Sequence, residues 1–444
     1  MKNIYFIGIG GIGMSALARY FRHEGWSVAG YDRTPTPLTH HLEEEGITIH
    51  YLDNVALIPE IYKNPATTKV VYTPAVAKEH SELNYFIENG FEVLKRSRVL
   101  GLLSRDKWTM AVAGTHGKTS TSTMVAWFNH IGAGEGSAFL GGVSKNFGTN
   151  MVLGRGDRLA VEADEFDRSF LQLTPQAAVI TAADPDHLDI YGTAEEFLAT
   201  FNQFADQVTD TLIVKKGVSL TTKHKCLTYS LDDPHTDFYA RNIRLEDGGH
   251  YSFDIVTPCD TIECCRLGVP GLTNVENCVA AVALVAQRGY DKERLKEAIG
   301  TFRGVARRFD FHINTPQKVY MDDYAHHPEE LRAMISSVRK MFPGRHLTVI
   351  FQPHLYTRTR DFQDGFGEVL SLVDRTIIIP IYPARELPIE GVTSEVIFDK
   401  LRCERHIVAK EDLLELLKRL DTDIVVTAGA GDIDALCADV AKIL

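Results

Sequence analysis

The chain has 444 residues, a formal net charge of -12 and seven cysteines. Its length predicts about three domains, and its acidic balance argues against nucleic acid or an anionic membrane surface as a partner. The cysteines form neither CxxC pairs nor a Cys/His zinc spacing, no run is long enough to span a membrane, and Met1-Lys2-Asn3 opens no signal peptide, so a cytoplasmic protein with reduced thiols is expected.

Runs with strand character alternate with helical patterns throughout, which predicts an α/β protein with mostly parallel sheets. The first unit begins with a strand at Asn3–Ile7, the turn Gly8-Ile9-Gly10-Gly11-Ile12-Gly13, a helix to about His23 and a strand at Ser27–Tyr31. Further strands are predicted at Ile47–His50 and Val70–Tyr72, and Lys95-Arg96-Ser97-Arg98 reads as a linker. The G-x-G-x-x-G spacing between strand and helix lets backbone N–H groups and the helix N-terminus hold a pyrophosphate. Asp32, closing the next strand, stands where a ribose hydroxyl partner often lies. On these residues alone the nucleotide is open, NAD being the usual guess. The competing reading is a tight turn that only lets the helix pack on the strand.

A second start follows at the apolar strand Trp108–Ala113, which runs into Gly114-Thr115-His116-Gly117-Lys118-Thr119-Ser120 and then a helix. Successive N–H groups there would cradle phosphates, Lys118 would neutralise the outer ones, and the Thr119 hydroxyl would face Mg2+. It is not a full Walker A sequence, because Val112 takes the place of the first glycine. Glu162-Ala163-Asp164-Glu165-Phe166-Asp167 follows a strand at Arg158–Val161, and Asp184-Pro185-Asp186-His187-Leu188-Asp189 follows one at Ala178–Thr181. A carboxylate at a strand end beside a phosphate loop is a natural Mg2+ ligand. The alternatives are a solvated acidic turn and a structural histidine. Thr221–Pro270 carries shorter, less regular strand signals, and two helices, Asn274–Arg288 and Asp291–Phe302, close the unit.

The third unit begins near Arg307-Arg308. Strands are predicted at Val319–Met321, Leu347–Phe351, Thr376–Ile379 and Asp423–Thr427, alternating with helices, one of which has Pro328 in its first turn. Asp322-Asp323-Tyr324-Ala325-His326-His327-Pro328 spans a strand end and a helix start, where a metal site and ribose or amino-acid contacts are equally open. Gln352-Pro353-His354-Leu355-Tyr356-Thr357-Arg358-Thr359-Arg360 also follows a strand. Its arginines suit a carboxylate bound by two parallel hydrogen bonds, against the plainer reading of a basic helix start on the surface.

Taken in order, GxGGxG, GTHGKT, EADE, DPDH, NVEN, RRFDF, DDYAHHP and FQPH with TRT resemble the Mur ligase family over essentially the whole chain. The resemblance implies three α/β domains: a Rossmann-like N-terminal domain over 1–98 that binds a UDP-sugar, a central P-loop domain over 99–304 that binds ATP, and a Rossmann-like C-terminal domain over 305–444 that binds the amino acid and closes. It implies ATP-dependent ligation of L-alanine to the carboxylate of UDP-N-acetylmuramate through an acyl phosphate, in cytoplasmic peptidoglycan precursor synthesis. A monomer or weak dimer is the expected state.

By the same resemblance, Gly10, Gly11, Ile12, Gly13 and Met14 meet the UDP pyrophosphate, with Asp32 beside them. Gly114, Thr115, His116, Gly117, Lys118, Thr119 and Ser120 form the ATP phosphate loop. Thr119 and Glu162 hold one Mg2+ and His187 a second. Asn274 and Asn277 contact adenine, Arg308 the phosphates and Asp323 the ribose, while Tyr324, His326 and Arg358 surround the alanine. Lys118, Glu162, His187 and Arg308 are the expected catalytic groups. The chain departs from many relatives at Thr273, where histidine is common, and at Leu355, where some carry arginine, which leaves the alanine carboxylate to Arg358. Three other readings compete. A recycling ligase would add a peptide to the same nucleotide sugar, and the segment Phe351–Arg360 argues against it. A nicotinamide-dependent oxidoreductase leaves the second phosphate loop unexplained. A non-catalytic nucleotide-binding regulator needs neither Glu162 nor His187.

Overall fold

The computed structural model describes residues 2–132, 136–184, 191–384 and 386–444. Five short runs form the first sheet: β1 (Asn3–Ile7), β2 (Ser27–Tyr31), β3 (Thr48–His50), β4 (Thr68–Tyr72) and β5 (Glu92–Lys95). Their order is β3-β2-β1-β4-β5 and every pairing is parallel. All of β1 is buried, as a central parallel strand covered on both faces must be. Ile4 and Phe6 pack with Leu17 and Phe21 of the helix Ile12–His23, while Tyr5 and Ile7 pack with Tyr31, Tyr62 and Phe86. Lys95-Arg96-Ser97-Arg98 is not a linker. Lys95 ends β5 and Arg96 starts the helix Arg96–Ser104, because the basic run is only the first turn of a segment whose Val99 and Leu100 are buried.

The second sheet has seven strands: β6 (Trp108–Ala113), β7 (Ser137–Ser144), β8 (Thr149–Val152), β9 (Arg158–Glu162), β10 (Ala177–Ile180), β11 (Thr211–Lys215) and β12 (Leu227–Tyr229). Their order is β12-β11-β10-β6-β9-β7-β8, with only β7 and β8 antiparallel. One apolar core runs from Phe6, Leu17 and Phe21 beside the first sheet to Phe139, Leu159, Phe170 and Phe201 in the second, and the Tyr20 and Phe139 rings meet at 5.8 Å. The two sheets thus belong to one compact unit, Met1–Ile243 with Ser252–Gly268 and Asn274–Arg303. The irregular strand signals after Thr221 resolve into β12 and a small sheet of β13 (Tyr239–Leu245), β14 (Tyr251–Val256) and β15 (Thr261–Arg266). The helices Leu272–Ala286 and Lys292–Thr301 follow, the second capped by Asp291, which accepts from the Arg294 N–H at 2.9 Å.

The other compact unit comprises Arg244–Tyr251, Val269–Thr273 and Gly304–Leu444. Its sheet has β16 (Asp310–Asn314), β17 (Val319–Asp323), β18 (Leu347–Phe351), β19 (Arg375–Ile378), β20 (Glu404–Ile407) and β21 (Ile424–Ala428), in the order β16-β17-β21-β18-β19-β20. Only β16 and β17 are antiparallel. β20 has no counterpart among the sequence expectations, since Glu404-Arg405-His406 make a polar edge strand without the apolar run that marks a buried one. Pro328 begins the helix Pro328–Met341, where Glu330 accepts from the His326 and His327 N–H groups at 2.9 and 3.2 Å. Among the described residues no helix is long and apolar enough to cross a membrane.

A polar network is buried against one face of the first sheet. Tyr5 Oη donates to Glu82 Oε2 at 2.8 Å, the Asn54 N–H donates to Glu82 Oε1 at 3.2 Å, and His50 Nε2 lies 2.7 Å from the Tyr5 oxygen. Glu82 is wholly buried, and desolvation pushes its carboxyl from 4.5 up to about 7. The folded chain therefore holds this proton more tightly than the unfolded one. The stability it contributes is fully present below pH 4.5 and is lost as pH rises to about 7, a change on the order of 3 kcal/mol. Glu82→Gln stays neutral and should remove most of that loss. Urea denaturation at about pH 5 and about pH 7.5 reads it out: the variant's stability should fall less than the wild type's, and equal falls would count against a raised Glu82.

Candidate active site

The first glycine turn is shaped by side chains that crowd it. Gly8 has φ +85°, which favours glycine, and a Cβ on Gly10 would lie 2.7 Å from Thr39 Cγ2 and 2.8 Å from Asp32 Oδ2. Asp32 accepts from the Gly10 N–H at 2.7 Å and from the Thr34 N–H at 3.1 Å. Its carboxylate thus braces the turn in addition to standing at the end of β2. Gly11 is the N-cap of the helix Ile12–His23 without a side-chain cap, leaving the helix N-terminus to backbone amides. Met14 and Ser15 give their N–H groups to the Gly11 carbonyl, and the Met14 side chain is in the core. Asn150, from β8, donates through Nδ2 to the Ile12 carbonyl, and Arg19 Nη1 donates to Asn150 Oδ1 at 2.8 Å, tying turn and helix to the second sheet.

β6 leads into the second turn. Gly114 has φ +132°, and a Cβ there would come within 2.2 Å of Thr181 Oγ1. That hydroxyl lies 2.5 Å from the His116 carbonyl and 3.1 Å from that of Ala113, and the Thr115 N–H donates to the Ala182 carbonyl at 3.3 Å. Thr181 thus latches the loop. Gly117 has φ +79° and would place a Cβ 2.7 Å from Asn277 Oδ1, whose amide nitrogen is 3.5 Å from Asn274 Oδ1. Both asparagines sit in the first turns of the helix Leu272–Ala286, with Asn277 against this loop. The His116 and Asp184 side chains are exposed and 3.9 Å apart, and Ser120 is partly buried in the first turn of the helix that follows.

Lys118 starts the helix Lys118–Gly132, and its ammonium donates to Glu165 Oε1 at 2.7 Å and to the Gly114 carbonyl at 2.8 Å. Burial works against its charge, but the carboxylates of Glu165 and Glu162 outweigh burial and hold the ammonium above its ordinary range. Thr119 Oγ1 is 3.2 Å from Glu162 Oε1, and the Gly141 N–H donates to Glu162 Oε2 at 3.1 Å. Gly141 must be glycine for that approach, since a Cβ would lie 2.2 Å from the carboxylate. Asp164 pairs with Arg96 at 3.4 Å and Asp167 with Lys95 at 3.0 Å, so the acidic segment also holds the end of β5. His187 lies outside the described residues.

In the other unit a second group gathers around Tyr324. The guanidinium carbons of Arg308 and Arg307 lie 4.8 and 5.1 Å from the centre of its ring. Asp323 accepts from the Phe309 N–H at 2.8 Å and the Ala325 N–H at 2.9 Å, so both its oxygens brace backbone. His326 Nδ1 is 2.9 Å from the Tyr324 carbonyl and 3.2 Å from Glu330 Oε2, and burial lowers its pKa. Its ring meets that of His354 at 5.8 Å; His354 stacks on Tyr382 and its Nδ1 is 3.3 Å from Arg358 Nη1. Tyr324, His326 and Arg358 are therefore brought together, with His354 and Tyr382 as members that sequence reading did not single out. Leu355 has φ +71° and a buried side chain, so it turns the chain rather than joining the cluster. Thr181, Gly141 and Glu165 were also missed. Only the last carried a signal, as one acid in an acidic run.

Three family models match the chain in turn: the Mur ligase family catalytic domain over residues 3–108, the Mur ligase middle domain over 112–285, and the Mur ligase glutamate ligase domain over 307–431. The chain is 50% identical over 446 residues to the UDP-N-acetylmuramate–L-alanine ligase of Phocaeicola vulgatus, with 98% of this chain and 96% of that protein covered. The solved UDP-N-acetylmuramate-alanine ligase of Thermotoga maritima is similar with a TM-score of 0.83 at 27% identity, covering 100% of this chain and 99% of that one. A murein peptide ligase of Psychrobacter arcticus shares the fold, with a TM-score of 0.72 at 22% identity over 100% of this chain and 98% of that one.

The latch at the second turn is open to test. Thr181→Val puts a methyl where two carbonyls accept a hydroxyl, at an expected cost of about 1–3 kcal/mol. Chemical denaturation should show that loss together with weaker nucleotide binding. An unchanged midpoint and affinity would mean that Thr181 does not hold the loop.

Proposed function

The chain belongs to the Mur ligase family, and we propose that it joins L-alanine to the carboxylate of UDP-N-acetylmuramate while ATP becomes ADP and phosphate. The observation that carries this reading is one strand–turn–helix junction at which Lys118 lies on Glu165 and Thr119 on Glu162. The full-length 50% identity is to an alanine ligase, whereas the murein peptide ligase contributes a likeness of fold alone.

The chemistry follows from the weakness of a carboxylate as an electrophile. A carboxylate oxygen of the sugar takes the γ-phosphoryl group and ADP leaves. The neutral amine of alanine then attacks the acyl carbon, phosphate departs and the nitrogen gives up one proton to phosphate or water, leaving the amide. Lys118, kept charged by its carboxylate neighbours, offsets negative charge on the transferring group. The Thr119 hydroxyl and Glu162 carboxylate are hard oxygen donors at the phosphate loop and fit Mg2+, which draws much of its shell from water and substrate phosphates. When bound, Mg2+ supplies charge neutralisation at the phosphate oxygens. His187 is assigned to a second ion on family resemblance.

The remaining assignments are part of the same proposal. The turn Gly10 to Met14 with Asp32 takes the UDP pyrophosphate in a domain over 1–98. Asn274 and Asn277 take adenine in a domain over 99–304. In a domain over 305–444, Arg308 serves the phosphates, Asp323 the ribose, and Tyr324, His326 and Arg358 the alanine. The bracing of Arg358 by His354 supports its role as a carboxylate clamp. A cytoplasmic setting is supported by seven free cysteines, and the lack of a nucleic-acid partner by the net charge of -12. The assembly state is proposed as a monomer or weak dimer.

Two variants test the division of labour. Lys118→Ala should abolish ligation, measured as phosphate release, while UDP-N-acetylmuramate affinity measured by calorimetry stays within about twofold, because the two nucleotides use separate turns. A parallel collapse of both in a variant whose circular dichroism matches the wild type would refute separate sites. Arg358→Lys should raise KM for alanine about tenfold or more with KM for ATP little changed, since lysine cannot reproduce the two-bond fork. Glycine and serine should remain poorer substrates that still turn over, as one methyl-sized difference is worth only about 1–3 kcal/mol. Equal losses for ATP and alanine would move Arg358 to phosphate binding.

A further inference from the structure

Beyond the carboxyl end of the first sheet lies a cavity of about 300 Å³ with Tyr72, Lys95, Arg98, Asp167, Arg168 and Gln172 in its lining. None of the substrate or metal assignments above uses it. Its charge runs against that of the molecule: three cations face one acid in a chain of net charge -12. Asp167 is already paired with Lys95 at 3.0 Å, which leaves two guanidinium groups in excess. Arg98 is exposed and has no carboxylate partner among the described residues. The Arg168 guanidinium lies 5.2 Å from the centre of the Tyr191 ring, an arrangement that fixes its plane and leaves its N–H edge to bind.

The backbone here is also held in an uncommon conformation. Asp167 and Arg168 are consecutive non-glycine residues with φ +52° and +54°. That left-handed region is costly for such residues and persists where the surroundings enforce it, often at ligand sites. The strain turns both side chains of the pair to the cavity wall. The same acidic segment reaches the ATP loop through Glu165, whose backbone carbonyl also accepts from Tyr191 Oη at 2.5 Å. Tyr191 thus touches both the arginine of the cavity and the residue that carries Lys118.

We propose that this cavity is an oxyanion site, with Arg98 and Arg168 binding a phosphate or carboxylate group. Two sources offer that chemistry: a free anion such as inorganic phosphate, and an anionic group of the nucleotide-sugar substrate. Only the second rests on the function proposed above.

Titration calorimetry on the full chain distinguishes them, with sodium phosphate and UDP-N-acetylmuramate as separate probes in chloride buffer. Arg98→Gln, Arg168→Gln and the double variant are compared with wild type, and circular dichroism confirms their fold. The double variant should bind at least one probe tenfold or more weakly, while ATP affinity changes less than twofold. Loss confined to phosphate identifies a free-anion site, and loss confined to the nucleotide sugar identifies a substrate subsite. Unchanged affinity for both probes overturns the proposal. Arg98→Gln alone, at an exposed position, decides the matter if the Arg168 variants misfold: wild-type affinity for both probes would again overturn it. Wild-type chain that fails to bind UDP-N-acetylmuramate at all would instead count against the proposed function, leaving the phosphate arm to judge the cavity.

Discussion

The contact between Lys118 and Glu165 is the constraint on which the middle of the molecule depends. Their side chains are 15% and 2% exposed, so neither charge is well solvated. Removing one partner from such a pair leaves the other charge stranded, typically at about 3–5 kcal/mol. The pair therefore fixes where the acidic segment after β9 can run relative to the turn after β6. With Glu165 pinned, Glu162 falls beside Thr119, Asp164 beside Arg96, and the Glu165 carbonyl beside Tyr191. The charge proposed above for phosphate chemistry is thereby also a structural fastener, and its substitution should be read with both roles in mind.

That arrangement requires backbone to come unusually close to polar side chains. Gly114 leaves room for Thr181, and Gly141 leaves room for Glu162. In each case the missing Cβ permits a hydrogen bond that orients a group at the turn after β6. On the first sheet Gly10 plays the same part for Asp32. Glycine acts here mainly by making space, and only at some of these positions by adopting a positive φ.

The residues that could be read from sequence are those whose role is local. A strand, a glycine turn and a helix start stand next to one another in the chain, so the two phosphate-type turns and the order of the α/β elements were legible. So was Pro328, whose missing N–H suits a first helical turn. Contacts that join distant segments were not. Thr181 meets Gly114, Gly141 meets Glu162 and Tyr382 meets His354 only through sheet order, which places β10 beside β6, β7 beside β9 and β19 beside β18. Family resemblance carried the identification of Asn274, Asn277, Asp323 and Arg358, because their spacing alone left several chemistries open. The supposed linker at Lys95–Arg98 failed for a related reason. Its charge was visible, but the burial of Val99 and Leu100 against another part of the chain was not.

Nearly all of the candidate groups lie at or just past the carboxyl end of a parallel strand. The first turn follows β1, the ATP-type turn follows β6, Glu162 ends β9, Thr181 follows β10, Asp323 ends β17 and His354 follows β18. Parallel α/β layers make this edge suitable because helix N-termini gather there, and their free amides and dipoles favour anions. Both the pyrophosphate and the triphosphate expected of the substrates can use that property of backbone. Side chains from helices are needed where backbone cannot discriminate. On the assignments proposed above, Asn274 and Asn277 would offer paired amide donors and acceptors to a base, and Arg358 a planar fork to a carboxylate, all three from helices. On that proposal the strand ends supply affinity for charge, while the helical side chains supply the distinctions of shape and hydrogen bonding that selecting a base and an amino acid requires.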